Sequence, residues 1–346
     1  MRKPLVIDAN HYAMYCYFAS RKLSEDKYKE KQREWKRQLQ RIDPETQKEE
    51  FAKAVAKIDD PLVLDMIVLD GFKTMWHNKL IELVVQNRYD GVIFGMEGGD
   101  GWRKGIYPEY KANRKPKFNP KTNKMENKFG SPEQETRFFD ASNECVESLT
   151  KFAPSIRVLK VRRAEGDDCI AEFVKWASKH RPSMLVTIMS RDRDYLQLFK
   201  YGNCRLYDPQ ERDFIPCNDP EYALQTKIIC GDTSDNIKNV RRGYGEVKAM
   251  EYYNKGKMDE FLSVGDARQK YDLNRQLVDF GFIPKEISDE IINQIDKIST
   301  TNHILKNVRD LHNYYITNGF FRTTDTRFQS WYDILKNPNF GNLTGH

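Results

Sequence analysis

Nothing in this 346-residue sequence approaches the roughly 18 to 20 consecutive apolar residues that a membrane-spanning helix needs. With 31% charged residues and a mean hydropathy of −0.76, a membrane protein is not expected. Met1-Arg2-Lys3-Pro4 leads straight into a short apolar run instead of a signal-peptide pattern, so a cytoplasmic location is expected, the host cytoplasm for a phage-encoded chain. Cysteine is sparse as well. The six cysteines, at positions 16, 145, 169, 204, 217 and 230, show no C-x-x-C spacing, which argues against both a zinc site and a disulfide framework. The six histidines are equally scattered. Any metal site in this chain must therefore be built from oxygen donors. No internal repeat is visible.

Charge is abundant: 57 Lys and Arg against 51 Asp and Glu give a net charge of +6. If a group of carboxylates is held around cations, the remaining surface is more basic than that figure suggests, which suits a phosphate polymer as partner.

The acids are placed in a pattern. The apolar run Met184 to Met189 reads as a buried strand and stops abruptly at Ser190-Arg191-Asp192-Arg193-Asp194. Leu5-Val6-Ile7 ends on Asp8. Val92-Ile93-Phe94 ends near Glu97-Gly98-Gly99-Asp100, and either acid could be the one presented there. Ile156, Val158 and Val161 mark a strand that precedes Glu165-Gly166-Asp167-Asp168. Cys204 to Tyr207 and Phe214-Ile215 add edge strands. Alternation of strands with amphipathic segments predicts an α/β fold, a mostly parallel central sheet with helices on both faces. Parallel strands deliver their carboxyl ends to one edge, so these four groups of acids should meet there. A further pair, Asp232 and Asp235, lies in Gly231-Asp232-Thr233-Ser234-Asp235-Asn236. So many carboxylates raise one another's pKa values unless divalent cations compensate. Oxygen-only ligation points to Mg²⁺, with Mn²⁺ as a substitute. Two such ions about 3.5 to 4 Å apart would clamp a phosphodiester for hydrolysis.

Several segments between these motifs have their own character. Residues 21–60 are dense in charge, with apolar positions at helical spacing on either side of Pro44, and read as a charged helical hairpin inserted after the first strand. It serves either as a solvated face or as a DNA-contacting appendage. Gly, Pro, Asn and Lys dominate residues 111–130, which predicts a long mobile segment. Ser131-Pro132-Glu133-Gln134 then starts a helix.

Taken together, Asp8-Ala9-Asn10, Trp102-Arg103 with Tyr107 to Arg114, Glu165 to Asp168, Ser190 to Asp194 and Gly231 to Gly245 resemble the flap endonuclease or 5′-3′ exonuclease family, most closely its T4-type phage ribonuclease H branch. Order and spacing match across residues 5 to about 250, and Leu277 to Pro284 extends the phage-type match. The resemblance implies a PIN/FEN-like core with a helical arch, a helix-three-turn-helix and a C-terminal helical region. Residues 1–215 would form the nuclease core, 216–285 the helix-three-turn-helix region and 286–346 the C-terminal helices. It implies that Asp8, Glu97, Glu165, Asp167 and Asp168 hold a first Mg²⁺ and that Asp192, Asp194, Asp232 and Asp235 serve a second. Glu97 departs from the aspartate usual at that place, and Asp100 is its rival.

By the same resemblance Arg103 and Lys111, eight residues apart and so able to share a helix face, would steer the scissile phosphate from the base of the arch. Tyr107 and Tyr110 would stack on a single-stranded base or pack the arch. Arg114 and Lys115 would touch the strand beneath it, and Arg241, Arg242, Gly243, Gly245 and Lys248 would hold duplex phosphates. The family's lysine after the turn is displaced here by one residue, to Lys248. The implied function is a Mg²⁺-dependent structure-specific 5′ nuclease, acting as a monomer on branched or flapped DNA and RNA-DNA hybrid. It would remove RNA primers or 5′ flaps in phage DNA replication, with a single-strand binding protein or sliding clamp as a possible partner. The alternatives are a PIN-type ribonuclease and a catalytically impaired junction-binding protein. A C-terminal apolar patch, Trp331, Tyr332, Ile334 and Leu335, would either pack on the core or bind such a partner.

Overall fold

Leu5, Val6 and Ile7 are fully buried in β1 (Pro4–Asp8), at the centre of a six-stranded sheet. The computed structural model describes residues 2–58, 60–120, 123–153, 156–300, 308–320 and 326–336. In chain order the remaining strands are β2 (Gly91–Gly95), β3 (Lys117–Asn119), β4 (Lys124–Glu126), β5 (Ile156–Leu159), β6 (Val186–Met189), β7 (Cys204–Asp208) and β8 (Asp213–Ile215). The sheet order is β5-β2-β1-β6-β7-β8, all parallel except the antiparallel edge strand β8, while β3 and β4 form a separate ribbon. All six sheet strands were legible as short β-branched or alternating runs.

Alternate residues of β1 feed two cores, as the two-residue period of a strand requires. Leu5 and Ile7 face α1 (Ala9–Leu39), α3 (Pro61–Asn87) and α5 (Pro132–Phe152), where Phe72, Trp76, Phe94 and Phe138 are completely buried. Val6 faces α6 (Gly166–His180) and α11 (Lys285–Thr300), which contributes Ile287, Ile291 and Ile295. The start of α5 is as expected: Ser131 Oγ accepts from Gln134 N at 3.2 Å, and Pro132 occupies the first turn.

The charged hairpin of residues 21–60 is present, but its first arm is the far half of the 31-residue α1, which runs unbroken from the tip of β1. The chain turns around Pro44 and returns as α2 (Lys48–Ile58). Tyr28 and Gln32 both donate to the Ile58 carbonyl, at 3.1 and 2.7 Å, which pins the two arms together. The C-terminal patch packs on the core. Trp331 and Leu335 of α13 (Thr326–Lys336) are buried against α3, beside Leu311 and Tyr315 of α12 (Val308–Thr317). That contact takes Trp331 and Leu335 out of any surface that a replication partner could use. No described helix is long and apolar enough to cross a membrane.

The remaining helices lie beyond the carboxyl edge of the sheet: α4 (Trp102–Ile106), α7 (Pro220–Cys230), α8 (Glu246–Asn254), α9 (Met258–Leu262) and α10 (Ala267–Val278). They carry two smaller cores of their own.

Candidate active site

Strand register explains why distant acids become neighbours. Asp8, at the end of β1, pairs with Gly95 at the end of β2, and Ile7 with Met189 at the end of β6. The segments that follow, from Met96 and Ser190, therefore leave the sheet at one level. Glu97 is held in place because Gly98 N donates to Ala164 O at 2.9 Å and Arg163 N to Gly98 O at 3.3 Å. Only glycine fits at 98, where an added Cβ would stand 1.6 Å from the Val161 carbonyl oxygen.

Asp8, Glu97, Asp167, Asp192 and Asp235 line a single cavity of about 970 Å³, together with Lys111, Arg114 and Lys115. Glu97 is thus the acid presented after β2. Asp100 is almost wholly exposed and pairs only with Lys104, at 3.6 Å. Burial and neighbouring carboxylates disturb the group strongly. Burial, then Glu165, pushes Glu97 up to about 7. Burial, then Glu165 and Glu97, pushes Asp167 well above the carboxylate range. Asp8 is raised mainly by burial, although His11 N donates to its Oδ1 at 2.9 Å and Tyr195 to its Oδ2 at 3.3 Å.

Several of the expected ligands are otherwise engaged. Asp168 is fully buried, and both its oxygens accept from Arg103, Nη1 at 3.0 Å and Nη2 at 2.8 Å. Its Oδ2 also accepts from Trp102 Nε1 at 2.9 Å and Glu165 N at 3.0 Å. It is the anchor of the first turn of α6 and is absent from the cavity wall, so the structure does not place it as a ligand. Glu165 accepts from Lys111 Nζ at 2.8 Å, Tyr110 Oη at 3.0 Å and Arg103 Nη1 at 3.2 Å. Burial opposes its ionisation, but Lys111 and Arg103 outweigh that and hold its carboxyl below the usual range. Asp194 faces a second cavity of about 430 Å³. There Lys227 of α7 stands 2.6 Å from Asp194 Oδ1 and 2.8 Å from Asp232 Oδ2. The first contact lacks hydrogen-bond geometry and leaves a buried oxygen without a donor. Burial and Asp192 push Asp194 up to about 7 despite Lys227. Lys227 escaped the sequence reading. Its only signal is its position in the last turn of a helix, five residues before Asp232.

Arg103 and Lys111 do not share a helix. α4 ends at Ile106, where Gly105 and Pro108 break it, and Lys111 takes a left-handed backbone with φ 57°. Both nevertheless reach Glu165. Arg103 is only 2% exposed, and beyond its acid partners its Nε donates to the Leu277 carbonyl at 2.7 Å. With every arm of the guanidinium committed, it ties α4 to α6 and α10 and is not free for a phosphate. Lys111 is at the cavity wall, where Glu165, Asp167 and Asp235 outweigh its burial and hold its ammonium strongly protonated. Tyr110 is buried with its hydroxyl 3.0 Å from both Glu165 Oε2 and Asp235 Oδ2, its single proton shared between the two carboxylates, which commits it to packing. Tyr107 is half-buried against α7 and α10. Arg114 pairs with Asp235.

Over the cavity, the segment expected to arch as a helix forms a short turn at Ala112–Arg114 and then the β3-β4 ribbon. Pro116 and Pro120, four residues apart, cannot continue a helix, and Asn123 supplies a left-handed turn residue with φ 54°. Lys115, Lys117 and Lys128 line the cavity from this side. Lys121 lies outside the described residues.

The turn between α7 and α8 supports the expected duplex-binding element. Gly243 has φ 83°, and both Gly243 and Gly245 face open space. No side chain caps α8, so its first-turn amides remain available to a phosphate. Arg242 and Lys248 are exposed beside them. Arg241 instead lies over the Tyr244 ring at 4.2 Å and the Phe261 ring at 5.0 Å, and donates to the Tyr244 hydroxyl at 3.1 Å, so it braces the turn.

Among the described residues no three acids, histidines or cysteines converge closely enough to hold one ion as they stand. The donor set nonetheless suits a hard divalent cation. It is all oxygen, four carboxylates line the cavity at the strand ends, and the raised pKa values of Asp8, Glu97 and Asp167 mark negative charge that a cation would offset.

A family model for the 5′-3′ exonuclease N-terminal, resolvase-like domain matches residues 67–226. The chain is 26% identical to ribonuclease H of Enterobacteria phage T4 over 273 residues, 73% of this chain and 80% of that protein. It is 29% identical to a 5′-3′ exonuclease of Mycoplasmopsis pulmonis over 171 residues, 47% of this chain and 50% of the relative. Among solved structures it aligns with a bacteriophage T5 flap endonuclease in a pseudo-enzyme-product complex with DNA and metal ions. The TM-score is 0.56 at 16% identity, covering 86% of this chain and 98% of that one, a likeness of fold.

Proposed function

We propose, for a chain that belongs to the flap endonuclease/5′-3′ exonuclease family and is a nuclease, that it hydrolyses phosphodiesters near the unpaired 5′ end of branched nucleic acid with the help of divalent metal ions. The observation that carries this reading is the meeting of Asp8, Glu97, Asp167 and Asp192 on one cavity wall, opposite a lysine-bearing ribbon. Mg²⁺ is the ion that best suits this donor set, and two ions would be accommodated if Asp194, Asp232 and Asp235 join the inner acids. When bound, such ions would supply charge neutralisation at the scissile phosphate and activation of the attacking water.

The chain's own residues do the rest. Lys111, poised between Glu165 and Asp235, offers an ammonium to a phosphate oxygen that enters the cavity, where low dielectric strengthens the contact. Arg103 acts indirectly: by pairing with Glu165 and Asp168 it fixes the turn from which Asp167 projects. The open amides at the start of α8, with Arg242 and Lys248, hold duplex phosphates without reading sequence. Lys115, Lys117 and Lys128 receive the unpaired strand. The name of the ribonuclease H relative supports RNA-DNA hybrid as a substrate and the flap endonuclease structure supports flapped DNA, and primer or flap removal in phage replication is the setting this reading implies.

The test is cleavage of a 5′-labelled flapped duplex, read as product length on a denaturing gel. Expected are Mg²⁺-dependent cuts near the junction or very short 5′ products, both abolished by EDTA. Tight junction binding with no product in Mg²⁺ or Mn²⁺ would assign the chain to the binding proteins instead.

A further inference from the structure

The ribbon over the cavity has an apolar face that neither the fold nor the metal chemistry uses. Phe118 on β3 stands directly opposite Met125 on β4, while Lys117 is opposite Glu126. Opposed residues of an antiparallel pair share a face with Cβ atoms about 4.5 to 5.5 Å apart, and their neighbours take the other face. Glu126 is engaged on that other face, where Asn119 Nδ2 donates to its Oε2 at 2.7 Å. Phe118 is 58% exposed and Met125 46%, and neither enters a hydrophobic core. Two large apolar side chains side by side in water, on strands of three residues, call for a ligand.

Charge indicates which ligand. Phe118 lines the same cavity as the acids, and Lys115, Lys117 and Lys128 line it too, while Met125 lies beside Phe118 on the ribbon but off the cavity wall. A flat apolar surface set among lysines is the recognition chemistry of single-stranded nucleic acid, in which aromatic rings take bases and cations take the phosphates between them. The tyrosines nearer the acids cannot provide it: Tyr110 is buried with its hydroxyl doubly engaged, and Tyr107 packs against α7 and α10. We propose that Phe118, with Met125 beside it on the ribbon's apolar face, is a stacking platform for an unpaired base of the 5′ strand as it passes the ribbon. This rests on the nuclease reading above and adds a specificity determinant to it. The platform rewards an unpaired base and offers nothing to a base already stacked in duplex.

The test uses the full chain in Ca²⁺ with flapped duplexes that carry 2-aminopurine at successive flap positions, and a blunt duplex as control. In the wild-type protein the fluorescence should change at one or two adjacent flap positions. Phe118→Ala combined with Met125→Ala should abolish that change and weaken flap binding about 5- to 100-fold, the worth of one stacked base. Blunt-duplex affinity should stay within about twofold, because that contact belongs to the α7-α8 turn. Phe118→Trp should restore flap affinity. Both positions are exposed, so the variants should melt with the wild type. Wild-type flap affinity and an unchanged fluorescence profile in the double variant would overturn the proposal and leave the face to a protein partner. Equal loss of flap and blunt-duplex binding would also overturn it, making Phe118 a prop for the ribbon. A wild-type protein that shows neither flap preference nor a fluorescence response would remove the nuclease reading of the cavity along with the platform.

Discussion

Arg103→Ala is expected to lower the free energy of unfolding by about 3 to 5 kcal/mol, more than any catalytic substitution in this chain. The guanidinium is 2% exposed and its main partner Asp168 is completely buried. Truncating the arginine strands a carboxylate in low dielectric with only Trp102 Nε1 and Glu165 N as donors, and it releases the Leu277 carbonyl. An uncompensated buried charge is costly, whereas an ion pair exchanged whole for apolar groups of similar size often costs little. Arg103→Met with Asp168→Leu should therefore recover much of the loss. Urea unfolding of the two single variants and the double variant gives the coupling directly. A loss below about 1 kcal/mol for Arg103→Ala would show the arginine to be free in solution, available to a phosphate after all.

Asp167→Asn is expected to behave in the opposite manner, with catalysis lost and the fold kept. Its carboxyl stands on the cavity wall among Asp8, Glu97 and Glu165, where burial and like charges disfavour its ionised form. Asparagine removes one crowded charge at nearly constant shape, so in EDTA the variant should melt no lower than the wild type. With Mg²⁺, loss of a ligand carboxylate removes several kcal/mol of transition-state stabilisation, so kcat on a flapped duplex should fall by about 10² to 10⁴-fold. Asp168→Asn should show the reverse balance, with the larger loss in stability. If the two variants exchanged these phenotypes, the division into cavity-wall acid and buried anchor would be wrong.

That division was only half legible in the sequence. Strand ends followed by acids are a local signal, and parallel topology carries them to one edge, so Asp8, Glu97, Asp167 and Asp192 could be grouped before any coordinates. The role of Asp168 depends on Arg103, 65 residues away, and that of Arg103 on Leu277, 174 residues away. No window of sequence holds such pairings. The same applies to Lys227, whose partners Asp194 and Asp232 meet it only when α7 packs on the turn at Arg193–Tyr201. Over 111–130 composition spoke against regular structure. Two prolines do forbid a helix, yet they tolerate a two-stranded ribbon, and the resemblance had implied a helical arch. Glu97 raised the alternative of an impaired nuclease that only binds junctions. Its place on the cavity wall, with the other acids around it, gives that alternative no support.

The measurement that bears most directly on the account is the number of Mn²⁺ ions bound per chain, read by electron paramagnetic resonance of the free ion during titration of the wild-type protein and of Asp167→Asn. The account predicts saturable binding of at least one ion to the wild type, displaced by Mg²⁺, and a marked loss of that binding in the variant. Equal binding by both proteins, or none by the wild type, would contradict the claim that the acids at the sheet edge form the metal-dependent centre of this nuclease.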